Sequence, residues 1–323
     1  MTEAADAHAT TLTFSGRAMG SPLRLTISGR DREAWDARRA TAAWTAVCDE
    51  FEASEQAMSR FRESSEITVL NSQAGRTPVA AVSRRLRRAL VACDRANRVT
   101  AGRFDPRVLW DLERLGDRGA PLGIAPPDDA EHIAARRGRI VERTPDGLVL
   151  PVPVDLGGIG KGLALRWAAT AVRRCGIGAF MLDAGGDIVA AGEAPEGGPW
   201  RIGVEDPTGG IEPLAVILAA GEAVTTSSIR RRTWQTGDRI VHHLIDPRTG
   251  EPGGAGLLAV TVIGTDPAWA EVWSKSLFLE GRVGIAALAR RHGLAAWWIA
   301  DDRSVEMTAA ARARTFWTAG EAG

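Results

Sequence analysis

Alternation and helical spacing divide the first third of the chain into two strands followed by helices. The segment "TLTFSGRAMGSPLRLTISG" (11–29) alternates apolar and polar side chains around residues 20–22, which predicts two strands joined by a turn. From Asp31 to about Phe61, apolar residues recur every three or four positions and predict a long helix. The same spacing in "VSRRLRRALVACDRANRVT" (82–100) predicts a second helix with a solvated arginine face.

The second half of the chain mixes helices and strands. Pro, Gly, Asp and Arg dominate residues 121–153, which favours a connection there between an N-terminal helical part and a C-terminal sheet-rich part. The pattern then predicts, in order, a turn and helix (157–174), a strand (179–184), strands as far as residue 263, a helix (268–279), and a helix plus strand (284–300). This interleaving favours an α/β or α+β fold.

Composition and charge limit the classes of partner. The 323 residues include 40 basic and 40 acidic side chains, so the net charge gives no reason to expect nucleic acid or an anionic membrane as a partner. The N-terminus lacks the basic and apolar regions of an export signal, and no stretch offers the roughly 18 apolar residues of a membrane span, which predicts a cytoplasmic protein. Cys48, Cys93 and Cys175 form no C-x-x-C pair and are interpreted as core thiols. Length leaves the choice between one and two domains open.

The glycine-rich segment "PVDLGGIGKGLALRWA" (153–168) is the first candidate for chemistry, because Lys161 is one of two lysines in a chain that otherwise uses arginine. It is not a P-loop, since Gly162 stands where Ser or Thr is needed and Asp155 where a glycine is needed. Nor is it the dinucleotide fingerprint, which has a glycine in place of Leu163. Glycines before a helix and an adjacent ammonium still suit an anion, phosphate above all. The alternative is a tight turn with a solvated lysine.

Two later segments also carry candidate residues. The segment "HHLIDPRTGEP" (242–252) predicts a strand through His243 that ends in a polar turn, although a strand histidine is usually structural. If "AWAEVWSKSLFLEG" (268–281) is helical, Glu271 and Lys275 stand four positions apart on one face. They form either an ordinary exposed ion pair or a pair that points into a polar site, and the scarcity of lysine favours the second interpretation.

Three more segments have two interpretations each. The Gly-Gly-Asp turn in "DAGGDIVAAG" (183–192) predicts either a plain hairpin or a close approach of backbone to a ligand. Phe61 and Phe104 each stand beside charged or turn-forming residues. Such rings either stack against a ligand or belong to the core beside a loop.

Taken together, these segments resemble the FAD:protein FMN transferase family, known as the ApbE family. The resemblance is carried, in this order, by "AMGS" (18–21), "SRFRESSEITVLN" (59–71), "GRFDPRVL" (102–109), "VDLGGIGKGLA" (154–164), "LDAGGDI" (182–188), "AVTTSS" (223–228), "HLIDPRTGEP" (243–252) and "AEVWSKSLFLEG" (270–281). It implies a single ApbE-like, T-fold-type α/β (α+β) domain over residues 10–320, with mixed sheets and flanking helices. Its helical part would extend to about residue 120 and its sheet-rich part would begin at about 150.

The resemblance also implies a reaction and roles for residues. The family transfers FMN from FAD to a threonine of another protein, which forms a phosphoester and releases AMP with the help of magnesium. The positions that fall where the family contacts FAD are Met19, Phe61, Gly102, Arg103, Phe104, Asp105, Asp155 and Lys161. Lys161 matches the lysine near the phosphates, and His243 matches a histidine implicated in the chemistry. Cations that offset developing charge and a base near the hydroxyl suit attack at phosphorus.

The chain departs from the family pattern at three positions. Phe61 stands where the family usually has a stacking tyrosine, so that the ring is kept and the hydroxyl is lost. The family's metal is held by a backbone carbonyl, here of Gly158, and by an Asp and a Thr, here Glu271 and Lys275. A protonated lysine does not bind a cation, so we hypothesise that its ammonium partly replaces Mg²⁺ or that Mg²⁺ binds more weakly.

The sequence therefore predicts a cytoplasmic transferase that uses FAD as donor and a separate flavoprotein as acceptor. Two alternatives remain at this point. The first is a homologue that binds FAD or FMN but has lost transfer, because its metal helix has changed. The second is an FAD pyrophosphatase that gives FMN and AMP without a protein acceptor.

Overall fold

The computed structural model describes residues 11–29, 36–119, 123, 136–230 and 232–319. Within these ranges the helices are α1 (Ala37–Met58), α2 (Glu66–Ser72), α3 (Arg84–Val99), α4 (Leu109–Arg114), α5 (Gly160–Arg174), α6 (Pro267–Arg291) and α7 (Ala309–Arg312). The start of the first predicted helix, most of the predicted connection before residue 136, and both ends of the predicted domain lie outside the described residues. The domain boundaries stay a prediction.

The strands are distributed along the whole described chain. They are β1 (Thr11–Ala18), β2 (Ser21–Ser28), β3 (Glu142–Thr144), β4 (Gly147–Val149), β5 (Phe180–Ala184), β6 (Asp187–Ala191), β7 (Trp200–Val204), β8 (Ala215–Ala219), β9 (Ala223–Ser228), β10 (Thr233–Thr236), β11 (Arg239–His242), β12 (Ile245–Asp246), β13 (Glu251–Pro252), β14 (Leu257–Gly264), β15 (Ala295–Ala300), β16 (Val305–Met307) and β17 (Thr315–Thr318). Helices and strands thus alternate, and the predicted α/β (α+β) class is confirmed.

An eight-stranded sheet, with the order β1-β2-β5-β6-β9-β14-β15-β16, forms the centre of the molecule. A second sheet has the order β17-β8-β7, and three two-stranded pairs complete the set. The sequence predicts mixed sheets, but every described strand pair is antiparallel. Short turns that only antiparallel neighbours allow join β1 to β2 and β5 to β6, whereas pairs such as β2–β5 and β9–β14 are antiparallel although long connections separate them.

The central sheet is covered on both faces. On one face, apolar residues of β2 and β5 pack against α1 and α5, and those of β14 and β15 pack against α6. On the other face, residues of β6, β9 and β14 pack against β7 and β8 of the second sheet. A further cluster joins α2 and α3 to the start of α5 and α6. The helices, the central sheet and the second sheet thus form three layers. The candidate site lies where the N-termini of α5 and α6 meet the central sheet.

Side-chain caps and apolar spacing explain the N-terminal helices. Asp36 accepts a hydrogen bond from a backbone N–H in the first turn of α1, and Ser83 does the same for α3. The buried residues of α3 are Leu86, Ala89, Leu90, Cys93 and Ala96, whose spacing defines one face of the helix. The arginines of α3 are exposed or half-buried, which confirms the predicted solvated arginine face.

Two predicted elements begin or end elsewhere in the structure. The turn between β1 and β2 consists of Met19 and Gly20, with φ values of 50° and 71°, and residues 21–22 already belong to β2. Two residues with positive φ make the tight turn that matches the twist of a hairpin. The predicted strand through His243 is also interrupted, because β11 ends at His242 and β12 begins at Ile245.

The C-terminal helices follow the prediction more closely. The helix α6 contains a non-helical residue, Gly281 (φ 74°), which separates the two helices that the sequence predicts there. No helix in the described ranges is long and apolar enough to cross a membrane. Of the three cysteines, Cys93 is a core thiol as predicted. The prediction is wrong for Cys48 and for Cys175, which are only partly buried, the latter at the C-terminal end of α5.

Candidate active site

The N-terminus of α5 carries the first part of the site. Its N-cap residue, Ile159, makes no side-chain capping bond, and the Gly162 N–H instead donates to the Glu271 carboxylate at 2.7 Å. A carboxylate at this end of a helix is stabilised by the exposed N–H groups. The ammonium of Lys161 forms an ion pair with Asp187, at the start of β6. The predicted solvated turn is therefore wrong, because the lysine has a buried partner.

The partner of Lys161 is itself held firmly by the sheet. Asp187 is 2% exposed, and its second carboxylate oxygen accepts a hydrogen bond from the Thr226 N–H at 3.1 Å. Both oxygens of the carboxylate thus have donors, and the side chain of Lys161 remains 29% exposed. The arrangement fixes one cation at the surface of the site without burying it.

Close contact between α5 and α6 brings the second lysine into the same site. A methyl group on Gly162 would lie 2.5 Å from the Cα atom of Ala268, so that only glycine permits this approach. Glu271 and Lys275, four positions apart on α6, are both buried, with 6% and 8% of their surface exposed. Of the two interpretations, the exposed ion pair is wrong because both side chains are buried, and the favoured one, a pair that points into a polar site, agrees with this burial.

Lys275 packs against the glycine turn that precedes α5. A Cβ atom on Gly158 would lie 2.8 Å from Cδ and 3.1 Å from Nζ of this lysine. Burial lowers the pKa of the Lys275 ammonium, and the negative charge of Asp155 opposes the change. Burial raises the pKa of the Glu271 carboxyl, an effect that the charge of Lys161 opposes.

Asp155 connects the glycine turn to a cationic group on the other side. Its carboxylate accepts a hydrogen bond from the Gly157 N–H at 3.0 Å and lies 3.5 Å from Nε of Arg60. Burial opposes ionisation, but the positive charges of Arg60 and Lys275 outweigh it and lower the pKa of Asp155. Arg60 also pairs with Asp117 at 2.9 Å, and Arg232 shares that carboxylate.

The resemblance associates the turn over Gly102–Asp105 with FAD. In the structure, the side chains of this turn contact other residues of the protein. Phe104 is 1% exposed and belongs to the core. Asp105 accepts two hydrogen bonds from the Arg107 guanidinium, at 2.9 and 2.7 Å. Arg103 donates to Asp246 at 3.3 Å and pairs with Glu280. Of the two interpretations of Phe104, the structure supports core beside a loop.

Two other positions from the same set lie nearer to open surface. The side chain of Met19 approaches α5, with its Cε atom 4.0 Å from the Cβ position of Gly160. Phe61 follows α1 and is 56% exposed, and the guanidinium of Arg60 lies 4.2 Å from its ring centroid. A second guanidinium, of Arg232, lies 5.8 Å from the same centroid. The ring is therefore beside the cations that face Asp155.

His243 lies in the break between β11 and β12. Its backbone N–H donates to the Arg232 carbonyl oxygen at 3.3 Å, and its Nδ1 lies at the same distance from that oxygen. With the proton on Nδ1, the ring donates there and leaves Nε2 as the basic nitrogen. Burial, followed by the positive charges of Arg232 and Lys275, lowers the pKa of His243 well below 6.5. The ring is thus neutral near pH 7.

The residues present do not fit a divalent cation held as the resemblance implies. Mg²⁺ requires oxygen ligands in an octahedral arrangement, but an ammonium lies against Gly158, whose carbonyl was the expected ligand. Glu271 directs one carboxylate oxygen to the Gly162 N–H. Across the described ranges, no group of three His, Cys, Asp or Glu side chains comes together as a metal centre. The Gly158 and Glu271 metal site predicted from the sequence is therefore not supported by the donor set.

Several residues of this site were not singled out from the sequence. Asp187 is visible in the Gly-Gly-Asp turn, but nothing in the pattern pairs it with Lys161. Arg60 and Arg232 look like two of many surface arginines. Their ion pairs join positions far apart in sequence, so only the fold brings them together.

Both the sequence and the fold of this chain resemble those of known proteins. The sequence model described as the ApbE family matches residues 19–298. A curated protein of Salmonella typhimurium named FAD:protein FMN transferase is 27% identical over 297 residues, which cover 88% of this chain and 83% of the relative. The solved structure of the flavin transferase ApbE from Vibrio cholerae superposes with a TM-score of 0.77 at 25% identity, over 95% of this chain and 99% of that one. The ApbE protein from Thermotoga maritima, at 23% identity, shares the fold with a TM-score of 0.80, over 94% of this chain and 99% of that one. The chain belongs to the ApbE family.

Proposed function

We propose that this chain is an FAD:protein FMN transferase, which moves FMN from FAD to a threonine hydroxyl of an acceptor flavoprotein and releases AMP. The observation that carries the proposal is the Lys161–Asp187 ion pair at the N-terminus of α5, in a chain of the ApbE family. Curated relatives that share most of their length with this chain bear the transferase name. A fixed cation beside a helix N-terminus suits a diphosphate.

The chemistry is a displacement at phosphorus. The acceptor hydroxyl oxygen forms a bond to the phosphorus of the FMN half of FAD, and the bond from that phosphorus to the bridging oxygen breaks. AMP leaves with the bridging oxygen, and the hydroxyl proton passes to Nε2 of His243. Lys161 offsets the negative charge that develops on the phosphate oxygens. No step in this scheme passes through a metal ion.

FAD is proposed to lie between the exposed ring and the lysine end of the site. Phe61 offers a ring face for the flavin or the adenine, and Met19 lies beside the N-terminus of α5. Asp155 and the turn over Gly102–Asp105 complete the FAD contacts that the resemblance implies. Since the side chains of that turn are committed elsewhere, its contribution to FAD would come from backbone groups.

The test measures AMP and protein-bound flavin together. Purified protein is incubated with FAD, with and without a desalted extract of the cells from which it comes, and denaturing gels are scanned for flavin fluorescence. A transferase releases AMP only with the extract and produces a fluorescent band other than its own. AMP release without the extract would indicate a pyrophosphatase, and intact FAD under both conditions would indicate a binding protein. The same cells, fractionated, test the predicted cytoplasmic location.

Replacing the histidine tests its role as proton acceptor. His243→Ala should abolish transfer and spare FAD binding, whereas the exposed His292→Ala should change neither. Because burial and the charges of Arg232 and Lys275 lower the pKa of His243, the wild-type ring stays neutral as the pH falls to 6.5. The kcat/KM of the wild type should therefore fall only below that pH. A fall centred at or above pH 6.5, or unchanged turnover of the alanine variant, would remove His243 from the mechanism.

A further inference from the structure

The ammonium of Lys275 is the most unusual charge in the site. It is 8% exposed and lies against Gly158, with Nζ 3.1 Å from the Cβ position of that glycine. Among the described residues, none hydrogen-bonds to Nζ or forms an ion pair with it within 4.0 Å. Lys161, by contrast, has Asp187 as a direct partner.

An ammonium in this position is costly in the absence of a ligand. A buried charge needs a partner or a hydrogen bond, and the loss of its hydration costs several kcal/mol. Asp155 and Glu271 attract Lys275 from a distance, and one oxygen of each carboxylate accepts a hydrogen bond from a backbone N–H, of Gly157 and Gly162 respectively. The structure thus retains a positive charge that its own carboxylates do not neutralise by contact.

The position of the Lys275 ammonium indicates which kind of ligand it binds. Lys275 is on the helix face that carries Glu271, at the glycine turn where the family's metal is expected, and Lys161 lies in the first turn of α5, directly after that glycine turn. A lysine ammonium is a compact point charge that binds phosphate oxygens directly.

We propose that Lys275 supplies, as a fixed ammonium, the positive charge that a divalent cation supplies elsewhere in the family, so that this chain binds the FAD diphosphate and transfers FMN without a divalent metal. The part that concerns transfer rests on the proposed function. The part that concerns binding does not, because affinity for Mg²⁺ and for FAD is measurable in the absence of turnover.

The first experiment measures binding by calorimetry. Wild type is titrated with MgCl₂, and so is a variant with Glu271→Asp and Lys275→Thr, which restores the two oxygen ligands of the family pattern. The wild type should give no saturable heat, and the double variant should bind Mg²⁺. Thermal unfolding of both proteins establishes that the variant is folded. Saturable Mg²⁺ binding by the wild type would overturn the proposal, whatever the variant does.

A second measurement isolates the charge. Lys275→Met keeps the length of the side chain and removes the ammonium, and it should weaken FAD binding about 10- to 100-fold, the range expected for the loss of a charged hydrogen bond. Arg98→Ala, on the exposed end of α3, removes a cation outside the site and should leave the Kd for FAD unchanged. Equal affinity of wild type and Lys275→Met for FAD would contradict the proposal.

The third measurement separates this proposal from the proposed function. AMP release is followed in EDTA and in MgCl₂, with the acceptor extract present in both. Equal rates support metal-independent transfer, whereas a rate that requires Mg²⁺ refutes it and leaves the transferase function standing. If neither buffer gives AMP, the proposed function fails, and the calorimetric titration still decides whether Lys275 excludes the metal.

Discussion

Two regions of this protein are rich in charge, and they use it differently. In the turn that follows α3, Arg103 and Asp105 each contact oppositely charged side chains, so that the charges of the turn are satisfied within the protein. Between α5 and α6, Lys161 pairs with Asp187 and keeps part of its surface exposed, while the Lys275 ammonium has no hydrogen-bond or ion-pair partner among the described residues. The ion pairs of the turn stabilise its conformation, whereas the α5–α6 region has positive charge that a ligand can contact.

The same two regions show why the scarcity of lysine in this sequence is informative. The turn uses arginine, whose planar group makes several hydrogen bonds at once and suits a fixed network. The α5–α6 region uses the only two lysines of the chain. The compact ammonium of Lys275 lies directly against the glycine turn at Gly158. Three substitutions test whether the two regions differ in this way.

The largest effect is expected at Lys161. Lys161→Met should lower kcat/KM for FAD about 10²- to 10³-fold, which is typical of the loss of one group that stabilises a developing anion. Because this change leaves Asp187 buried without its partner, the control is the double variant with Asp187→Asn, which removes both charges. The double variant should be stable and still impaired in AMP release. If it retained wild-type turnover, the α5–α6 region would be structural like the turn.

A smaller effect, on stability instead of turnover, is expected at Arg103. Arg103→Ala should lower the free energy of unfolding by about 2 kcal/mol, because it removes the ion-pair partner of the partly buried Glu280 and leaves Asp246 with only the exposed Arg248. Urea unfolding measures the change, and Arg98→Ala, whose side chain is 72% exposed in the last turn of α3, should alter stability by less than about 0.5 kcal/mol. Weaker FAD binding with unchanged stability would show that the turn acts through its side chains on the ligand.

The smallest effect is expected at Phe61. Phe61→Leu removes the ring face and should weaken FAD binding about 2- to 12-fold, corresponding to about 0.5–1.5 kcal/mol for an aromatic contact. Phe316 is a matched control, since it is 55% exposed with an arginine 4.4 Å from its ring centroid, close to the 56% and 4.2 Å of Phe61. Phe316→Leu should not change FAD fluorescence titrations, and equal effects of the two substitutions would exclude stacking at Phe61.

Much of the fold follows from local pattern. The spacing of apolar residues gives α1, α3 and α5, and glycine marks the end of α5 and the break in α6 at Gly281. The turn between β1 and β2 is displaced by one residue from the prediction, because Met19 adopts a positive φ that few residues other than glycine and asparagine favour. Local sequence preference therefore does not predict the positive φ of Met19.

The site is less predictable than the fold, for a physical reason. The glycine turn with Lys161 is visible in the sequence, because a helix start and a rare lysine are local signals. Its partner Asp187 lies 26 positions away, and Arg60 and Asp155 are farther apart still. Ion pairs of this kind depend on which strands become neighbours, and one carboxylate in a chain of 40 acidic residues carries no local mark of its partner.

Because Gly162 has no side chain, the backbones of α5 and α6 come into direct contact, and this contact affects how the site can change during evolution. Backbone contact at this glycine sets the spacing between α5 and α6, so the spacing does not depend on the residue one or two turns further along α6. A substitution at position 275 can therefore exchange one kind of cation for another while both helices keep their places. In this fold the packing of α5 against α6 does not depend on the charge at position 275.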